Sequence, residues 1–352
     1  MNNAYGGHVA VAWNGLPLYA AAMLRRAFDH FGEHVNVIGT RPHVPAQGME
    51  DVLRQEVTWI VDENVATSFA SLAIPVPKVF FVSGWNLPAF NALCREVKRN
   101  GGTVVVMVDN CYRGSVRQFV GAIAYRAFFG SLFDHAWVPG ESARRLMRSY
   151  GVPENKITLG LYSCDSSTFT DRRPIVQRST RFCFVGQFIE RKNPCRVHEA
   201  FCRFRAANHG DASLMMYGSG PLRKSLRETD SISVRKFATP HDLSEALNDS
   251  RVLVLTSLVD HWPLVVHEAA SCGCLLILSD AIGSIPEFAA KQNARLVRAT
   301  SITDLINAFY WATRLSAVEL TIGSAQSIQR ASAFSVDRWA ETFRALCLRY
   351  YA

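Results

Sequence analysis

The chain has 352 residues, of which 49% are apolar and 19% are charged, so the composition excludes an intrinsically disordered chain. No apolar run reaches the roughly 18 residues that a membrane-spanning helix needs, and the length predicts two domains. The formal net charge of +8 favours an anionic partner, namely nucleic acid, a phosphorylated small molecule or an anionic membrane surface. Ordinary surface charge is the alternative explanation.

The nine cysteines are scattered and include no C-x-x-C pair. This usage is typical of buried thiols in a reducing compartment, not of a disulfide framework or a zinc site. The first fifteen residues lack the basic flank and the long apolar segment of a secretion signal. We therefore expect a cytoplasmic protein.

In the first half of the chain, short apolar segments alternate with amphipathic ones. The predicted helices are LYAAAMLRRAFDHFG (18–32) and LPAFNALCREVKRNGG (87–102). The predicted strands are HVAVAW (8–13), VNVIG (35–39), TWIVDEN (58–64), KVFFVSG (78–84), TVVVMVDN (103–110) and HAWVPG (135–140). This alternation predicts an α/β domain whose parallel sheet is covered on both faces.

A polar segment rich in Ser, Thr and Arg, residues 163–181, interrupts the alternation, and we interpret it as a linker. The last segment, residues 334–351, is strongly amphipathic and predicts a helix with Ser335 as its cap and Asp337 in its first turn. Between the two, the alternation restarts. The predicted strands there are FCFVGQF (182–188), SLMMYGSG (213–220), SISVRKF (231–237), RVLVLTS (251–257), CLLILSD (274–280) and ARLVRA (294–299).

The segment DHWPLVVHEAASCG (260–273) connects two of these strands. Pro263 suits the first position of a short helix, because its missing N–H would have no helical partner there, and Gly273 suits the helix end. The amides of Leu264 and Val265 would then be free donors at the positive end of the helix dipole, which is an anion site. Asp260 would lie in the loop before this helix.

Glu268 falls in the second turn of the same predicted helix. Helical side chains lean toward the N-terminus, so its carboxylate would face whatever the amides hold. A carboxylate beside an anion gains most from neutral hydroxyls, and a ribose diol would supply two charge-assisted hydrogen bonds. A solvated position on the helix surface is the alternative.

Two further loops follow predicted strands. VGQFIERKNP (185–194) carries Arg191 and Lys192 just before a helix that Pro194 would open, and two cations there suit a diphosphate. MMYGSGP (215–221) contains Gly218, which would allow close approach of the backbone to a ligand. An exposed charged turn and an ordinary strand–helix turn are the respective alternatives.

The ordered set of motifs is more specific than any one of them. G-x-F-I-E-R-K-N, then Y-G-S-G-P, then D-x₇-E with W-P-L-V-V-H-E-A between, together with GSIPEF (283–288) and YSCDSSTF (162–169), resembles the retaining glycosyltransferases of family 4. The resemblance covers about residues 182–290. It implies the GT-B fold, in which two Rossmann-like domains with parallel sheets face each other across a nucleotide-sugar cleft. The domains would be residues 1–170, an acceptor-binding domain, and 171–334, a nucleotide-sugar-binding domain, with a helix over 335–352 that packs back on the first.

The resemblance also implies roles for individual residues. Glu268 would bind the ribose hydroxyls, and Lys192 would bind the diphosphate. Asp260 matches the first acid of the paired-acid motif, usually Glu, and would face the donor sugar. The remaining positions implied along the donor are the helix start at Pro263, Leu264 and Val265, and Gly186 with Gln187, where the family commonly has Arg and where Arg191 would supply the charge.

In the N-terminal half, the resemblance implies a donor-side loop after the first strand, here WNGLPLY (13–19). Gly15 and Leu16 would lie near the phosphates or the sugar. Asp109, with Asn110, sits in VDNCYRG (108–114), where many members carry His. It would hydrogen-bond sugar hydroxyls, and a helix cap is the alternative.

A retaining glycosyltransferase of this kind moves a sugar from a nucleotide-sugar, with UDP favoured, to a saccharide acceptor. Many bacterial members extend lipid-linked sugars, so we expect a lipid-diphosphate-linked acceptor, a role in surface polysaccharide (O-antigen) assembly and a peripheral position on the inner face of the cytoplasmic membrane. No D-x-D motif occurs, so we expect no metal and no other cofactor. The apolar segment 116–133, with Phe119, Phe128, Phe129 and Phe133, would enter a bilayer interface or form a buried core helix.

Three other functions compete with this interpretation. A Rossmann oxidoreductase predicts a G-x-G-x-x-G motif after the first strand, and the sequence has none. A GT-B nucleotide-sugar epimerase would use the same donor without an acceptor. A nucleic-acid-binding protein predicts a basic groove with aromatic residues, whereas the basic residues here are dispersed, so we expect no nucleic acid partner.

Overall fold

The computed structural model describes residues 9–31, 35–41, 49–207 and 210–351. The chain divides into two compact units. Unit 1 joins Met1–Ser163 to Val336–Ala352, and unit 2 is Cys164–Ser335. The sequence placed the corresponding boundaries at 170/171 and 334/335.

In the described residues, unit 1 contains a seven-stranded sheet with the order β3-β2-β1-β4-β5-β6-β7, and every pair of neighbouring strands is parallel. Its elements are β1 (Val9–Trp13), α1 (Leu18–Phe31), β2 (Val35–Gly39), α2 (Met49–Leu53), β3 (Thr58–Trp59), β4 (Val79–Ser83), α3 (Pro88–Arg99), β5 (Thr103–Met107), α4 (Val116–Phe128), β6 (His135–Trp137), α5 (Glu141–Ser149), β7 (Ile157–Thr158) and α12 (Val336–Tyr351). The predicted positions His8 and Gly32 lie outside the described residues.

The central strands of unit 1 are apolar throughout because helices cover both faces of the sheet. Alternate residues of β1 therefore enter different cores: Val9, Val11 and Trp13 pack on one face, and Ala10 and Ala12 on the other.

Helix α12 completes the first of these cores. Its Phe343 stacks on Phe81 of β4 with ring centroids 4.5 Å apart, and its Trp339 stacks on Trp137 of β6 at 4.9 Å. Asp337 accepts a hydrogen bond from Arg26 of α1 at 2.6 Å. The last segment of the chain is thus part of the core of unit 1, although it follows unit 2 in sequence.

Unit 2 contains a six-stranded parallel sheet with the order β10-β9-β8-β11-β12-β13 within the described residues. Its elements are β8 (Arg181–Val185), α6 (Pro194–Ala206), β9 (Ser213–Tyr217), β10 (Ile232–Arg235), α7 (Pro240–Asn248), β11 (Val252–Leu255), α8 (Leu264–Ser271), β12 (Leu275–Ser279), α9 (Ile285–Phe288), β13 (Ala294–Val297), α10 (Ile302–Arg314) and α11 (Ala317–Ser332). The predicted α/β class with a parallel sheet in each half is confirmed.

Both sheets have the doubly wound Rossmann order, in which the chain runs outward from a central strand and then returns to extend the sheet on its other side. The reversal falls between β1 and β4 in unit 1 and between β8 and β11 in unit 2. Loops that leave such neighbouring strands diverge, and the crevice between them is the usual ligand site of open parallel sheets. This topology predicts a ligand site at the loops after β1 and β4 and another at the loops after β8 and β11.

The polar segment 163–181 is more structured than a linker. It contains a short 3-10 helix, Ile175–Gln177, and Arg178, whose side chain is fully buried in unit 2. Arg178 Nη2 donates to Asp171 Oδ1 at 2.6 Å and to the Cys272 carbonyl at 2.7 Å. The linker interpretation is wrong for its second part because this buried guanidinium fixes the chain to the domain.

Candidate functional site

In unit 2, two cations and an acid form one cluster at the crevice between β8 and β11. Lys192 Nζ lies 2.5 Å from Asp260 Oδ2, and Arg191 Nη1 lies 3.9 Å from Oδ1. Ser257 Oγ donates to the same carboxylate at 3.2 Å. Asp260 is buried, and its carboxylate contacts these partners. Its role toward a donor sugar stays a prediction.

Hydrogen bonds to backbone carbonyls hold these loops together. The Leu258 N–H donates to the Arg191 carbonyl at 2.8 Å, and Arg191 Nη1 donates to the Val259 carbonyl at 3.0 Å. The Gly283 N–H donates to the Asp260 carbonyl at 3.0 Å, which adds the loop after β12. The basic loop therefore has a fixed position relative to the start of α8.

Gly218 serves the packing of two loops against each other. A Cβ built on it would lie 2.0 Å from the Gly186 carbonyl oxygen, a distance that no side chain tolerates. The Phe188 N–H also donates to the Ser219 carbonyl at 2.8 Å, so the two loops touch along their backbones. Gly218 therefore allows a close approach to the backbone of Gly186, and the neighbouring Gln187 is exposed. The approach of Gly218 to a ligand stays a prediction.

Helix α8 begins one residue later than predicted. Pro263 has φ −68° and ψ 111° and precedes the helix, so Leu264 occupies the first helical position. The placement of Pro263 inside the helix is wrong, because its extended ψ keeps it out of the first turn. The amides of Leu264 and Val265 remain at the helix N-terminus, where backbone N–H groups have no acceptor within the helix.

Glu268 shares the accessible side of α8 with this N-terminus. Leu264, Val265 and Glu268 are all partly exposed, while Val266 and Ala269 on the other side are buried. Burial raises the pKa of the Glu268 carboxyl to about 7. Hydrogen bonds donated by hydroxyl groups stabilise the ionised form of such a carboxyl group.

The buried side of α8 rests on an aromatic cluster that the sequence analysis missed. The His267 ring stacks on Phe288 with centroids 5.0 Å apart, and Trp262 meets Phe288 and Phe334 at 5.4 and 5.7 Å. Burial lowers the pKa of His267 to about 4, so the ring is neutral, and Nε2 lies 3.1 Å from the Ala331 carbonyl. His267 therefore packs under α8 as a neutral ring. The sequence feature that indicated this aromatic cluster was the apolar pair Ile285 and Phe288 within GSIPEF.

In unit 1, a pocket of about 580 Å³ opens at the crevice between β1 and β4. Its wall combines aromatic rings, amides, one acid and one arginine, which is a surface suited to a polar ring compound. The residues that carry this character are Trp13, Asn14, Trp85, Asn86, Asp109, Asn110, Arg117 and Tyr162.

The loop after β1 already has partners inside unit 1. The Gly15 N–H donates to Thr40 Oγ1 at 2.7 Å, and the buried Leu16 donates its N–H to the Thr40 carbonyl at 3.2 Å. The Asn14 N–H donates to Ser83 Oγ at 2.6 Å. Gly15 lines the pocket, but both amides nominated for a ligand are engaged by Thr40 in this arrangement.

Asp109 lies in the loop after β5 and accepts a hydrogen bond from the Tyr162 hydroxyl at 3.2 Å. Tyr162 meets Tyr19 edge to face at 5.8 Å, and burial raises the pKa of both phenols, so both are protonated at neutral pH. The helix-cap alternative for Asp109 is wrong, because Ser115 caps α4 by accepting from the Gln118 N–H. Asp109 and Asn110 both line the pocket.

Sequence reasoning overlooked Trp85 and Asn86. A signal was present: the dipeptide Trp-Asn occurs at the end of β1 as Trp13-Asn14 and just after β4 as Trp85-Asn86. Both copies line the pocket because the two strands are neighbours in the sheet. The sequence does not show which strands are adjacent. The fold is therefore needed to recognise that the two Trp-Asn pairs line one pocket.

The described ranges contain no group of three or more His, Cys, Asp or Glu side chains that could hold a metal ion. In the same residues, no helix combines the length and the apolar character needed to cross a bilayer.

The comparisons with known proteins match part of unit 2 to a family model. Residues 166–317 match the family model of the glycosyl transferases group 1. The matched range lies in unit 2 and includes Arg191, Lys192, Asp260 and Glu268. No curated protein matches the chain.

Solved structures match nearly the whole chain. A glycosyltransferase from Rickettsia africae has a TM-score of 0.75 at 10% identity, with 98% of this chain and 99% of that chain covered. An α,α-trehalose-phosphate synthase (UDP-forming) from Burkholderia vietnamiensis has 0.69 at 14%, covering 96% and 99%. A sucrose-phosphate synthase from Thermosynechococcus elongatus has 0.67 at 13%, covering 97% and 98%. At these identities the likeness shows the fold, which is GT-B.

Proposed function

We propose that the protein is a glycosyltransferase that moves a sugar from a nucleotide-sugar donor to a saccharide acceptor. The observation that carries the proposal is the pair of elements at the crevice of unit 2, the Arg191–Lys192 loop and the accessible side of α8 with Glu268. Both lie in the range that matches the glycosyl transferases group 1. A nucleotide-sugar offers a diphosphate and a ribose diol, which are the groups that these elements complement.

The diphosphate and the ribose of the donor each have partners in this proposal. Lys192 and Arg191 bind the diphosphate, together with the amides of Leu264 and Val265 at the helix N-terminus. Glu268 accepts hydrogen bonds from the two ribose hydroxyls. Gly186, Gln187, Gly218 and Pro263 form the adjoining backbone, and Asp260 acts through Lys192, which it contacts at 2.5 Å.

The chemistry follows from where charge develops. In sugar transfer, positive charge grows on the anomeric carbon and negative charge grows on the leaving diphosphate. Preorganised donors aimed at the leaving group lower the barrier most, and Arg191, Lys192 and the start of α8 offer positive charge there. We propose that the reaction is metal-independent on this account, and that it retains the anomeric configuration, as the sequence resemblance implies.

The donor that we propose is a UDP-sugar, either a hexose or an N-acetylhexosamine. The structural likeness to a UDP-forming synthase supports uridine as the base. Thermal shift against UDP, GDP and ADP tests this, because a ligand stabilises the folded state according to its concentration relative to Kd. Of the three nucleotides, we expect only UDP to raise the Tm of the protein. An unchanged Tm with all three nucleotides would contradict the donor site.

The acceptor that we propose is a saccharide on a lipid diphosphate, used in surface polysaccharide (O-antigen) assembly at the inner face of the cytoplasmic membrane. The pocket in unit 1 supports a saccharide, since Trp85 offers a ring face and Asn86, Asp109 and Asn110 offer hydrogen-bonding groups. Arg117 at its rim suits a phosphate. Gly15 and Leu16 contribute backbone to the same loop system.

A transfer assay separates this function from its closest rival. We expect the protein to consume UDP-sugar and release UDP only when a saccharide acceptor is present, with a glycoside product of retained configuration by NMR. A nucleotide-sugar epimerase would instead change the donor in the absence of an acceptor, which mass spectrometry and NMR of the donor would detect. That outcome would replace transfer by epimerisation and leave the donor site intact.

A further inference from the structure

The outer side of helix α4 is strongly apolar and exposed. The exposed fraction is 80% for Val116, 69% for Phe119, 58% for Val120, 54% for Ile123 and 74% for Phe128. Only Ala122 and Tyr125 of this helix are buried. The buried core helix that was an alternative for this segment is therefore wrong for α4, although Phe133 beyond the helix is buried.

Four of these five exposed residues form one stripe, and Phe128 lies outside it. At about 100° per residue, Val116, Phe119, Val120 and Ile123 fall within a sector roughly 100° wide. The same geometry puts Arg117 beyond one edge of the stripe and Arg126 beyond the other. An apolar stripe with a cation on each side is the arrangement of a helix that lies in a membrane interface, with its arginines reaching the lipid phosphates.

The charges around the stripe have one sign. Residues 110–133 contain no Asp or Glu. Arg113, Arg117 and Arg126 form no ion pair with an acid in the described part of the chain, and Arg126 instead donates to the Tyr150 and Ser149 carbonyls. This surface complements an anionic one.

We propose that the outer side of α4 docks on a bilayer that contains anionic lipid. The apolar stripe enters the interface, and Arg113, Arg117 and Arg126 contact lipid phosphates. A second copy of this chain fits the surface poorly, because a twofold pairing of these helices would bring arginines of like charge together.

The position of α4 connects this surface to the unit 1 pocket. Tyr125, on the inner side of the helix, packs against Trp85 with ring centroids 5.2 Å apart, and Trp85 lines the pocket. Arg117 in the first turn of α4 lines the same pocket. Docking would therefore put the mouth of the pocket beside the bilayer, which deepens the proposed function by giving a lipid-carried acceptor a route into its site.

Sedimentation with vesicles tests the surface directly. We expect the wild-type protein to bind vesicles of equal parts phosphatidylcholine and phosphatidylglycerol, and to bind pure phosphatidylcholine vesicles at least tenfold more weakly. Phe119→Ser with Ile123→Ser should weaken binding to the mixed vesicles at least tenfold. Arg117→Gln with Arg126→Gln should remove most of the preference for anionic lipid.

A matched control comes from α11, where Val318 and Ile322 are 68% and 51% exposed one helical turn apart. Val318→Ser with Ile322→Ser should leave vesicle binding unchanged. Circular dichroism checks folding, and Phe119→Lys provides a second variant with a single exposed change. Because the assay contains no nucleotide-sugar, failure of the proposed transfer reaction would leave its result standing.

Three results would overturn the proposal. One is a wild-type protein that stays in the supernatant with the mixed vesicles. Another is equal binding by the wild type and the Phe119, Ile123 double variant. The third is a wild-type dimer in light scattering that the same double variant converts to a monomer, which would assign the surface to a second copy.

Discussion

The raised pKa of Glu268 predicts a pH-dependent donor affinity. If the ionised carboxylate accepts the ribose hydroxyls, only that form binds well, and a group with a pKa of about 7 is roughly one-tenth ionised at pH 6 and nine-tenths ionised at pH 8. Affinity for a UDP-sugar should therefore rise about tenfold between these values. The diphosphate of a nucleotide-sugar is esterified at both ends, so it keeps a constant charge over this range and does not obscure the effect.

Isothermal titration calorimetry on the wild type and Glu268→Gln checks this prediction. The variant should bind about 10- to 150-fold more weakly at pH 8, which corresponds to about 1.5–3 kcal/mol for a lost charge-assisted hydrogen bond, and its profile should be flat. A wild-type affinity that is constant from pH 6 to pH 8, or a variant with wild-type affinity at pH 8, would refute the ribose role.

The same carboxyl links stability to pH with a definite sign. Its folded pKa of about 7 lies above the ordinary 4.5, so the unfolded chain loses the proton first as the pH rises. Stability falls between pH 4.5 and pH 7 and then levels off. Glu268→Gln should recover at most about 3 kcal/mol at pH 8 in urea denaturation, and a variant less stable than the wild type there would contradict this reasoning.

Two further changes probe buried charge in unit 2 by urea denaturation. Lys192→Met should cost about 3 kcal/mol, because it removes the cation 2.5 Å from the buried Asp260, while Arg191 is 3.9 Å away. Exposed Lys224→Met is the control, and equal midpoints for the two variants would contradict the pairing. Arg178→Met should cost about 3–5 kcal/mol, since it leaves Asp171 and several carbonyls without their donor. Arg173→Met, at an exposed ion pair with Asp249, should cost less than about 1 kcal/mol, and a similar loss at both positions would show that burial of Arg178 does not matter.

Much of this molecule could be predicted from local pattern. The apolar runs of β1, β4, β5, β8, β11 and β12 and the amphipathic helices between them lie where the sequence indicated, because burial on both faces of a parallel sheet demands uninterrupted apolar strands. The motif in the loop after β8 selected Arg191 and Lys192, because binding residues are common on loops that a rigid scaffold positions. The motif in α8 selected Glu268, because a helical side chain there leans toward the helix N-terminus. The strand TWIVDEN, by contrast, is observed only as Thr58–Trp59 at the sheet edge, where β2 is its one strand neighbour among the described residues.

The sequence could not determine the contacts between distant segments, because these contacts depend on which helices and strands become neighbours. Asp260 and Lys192 are 68 positions apart, and their pairing follows from the adjacency of β8 and β11. Gly218 is required because the loop at Gly186 packs directly against it. The two Trp-Asn pairs line one pocket only because β1 and β4 are adjacent. The amphipathic pattern of α4 was visible in the sequence, but the same pattern suits a buried helix and an exposed one. Only the tertiary structure shows that the apolar stripe of α4 stays uncovered, since exposure is set by what packs against a helix and not by the helix itself.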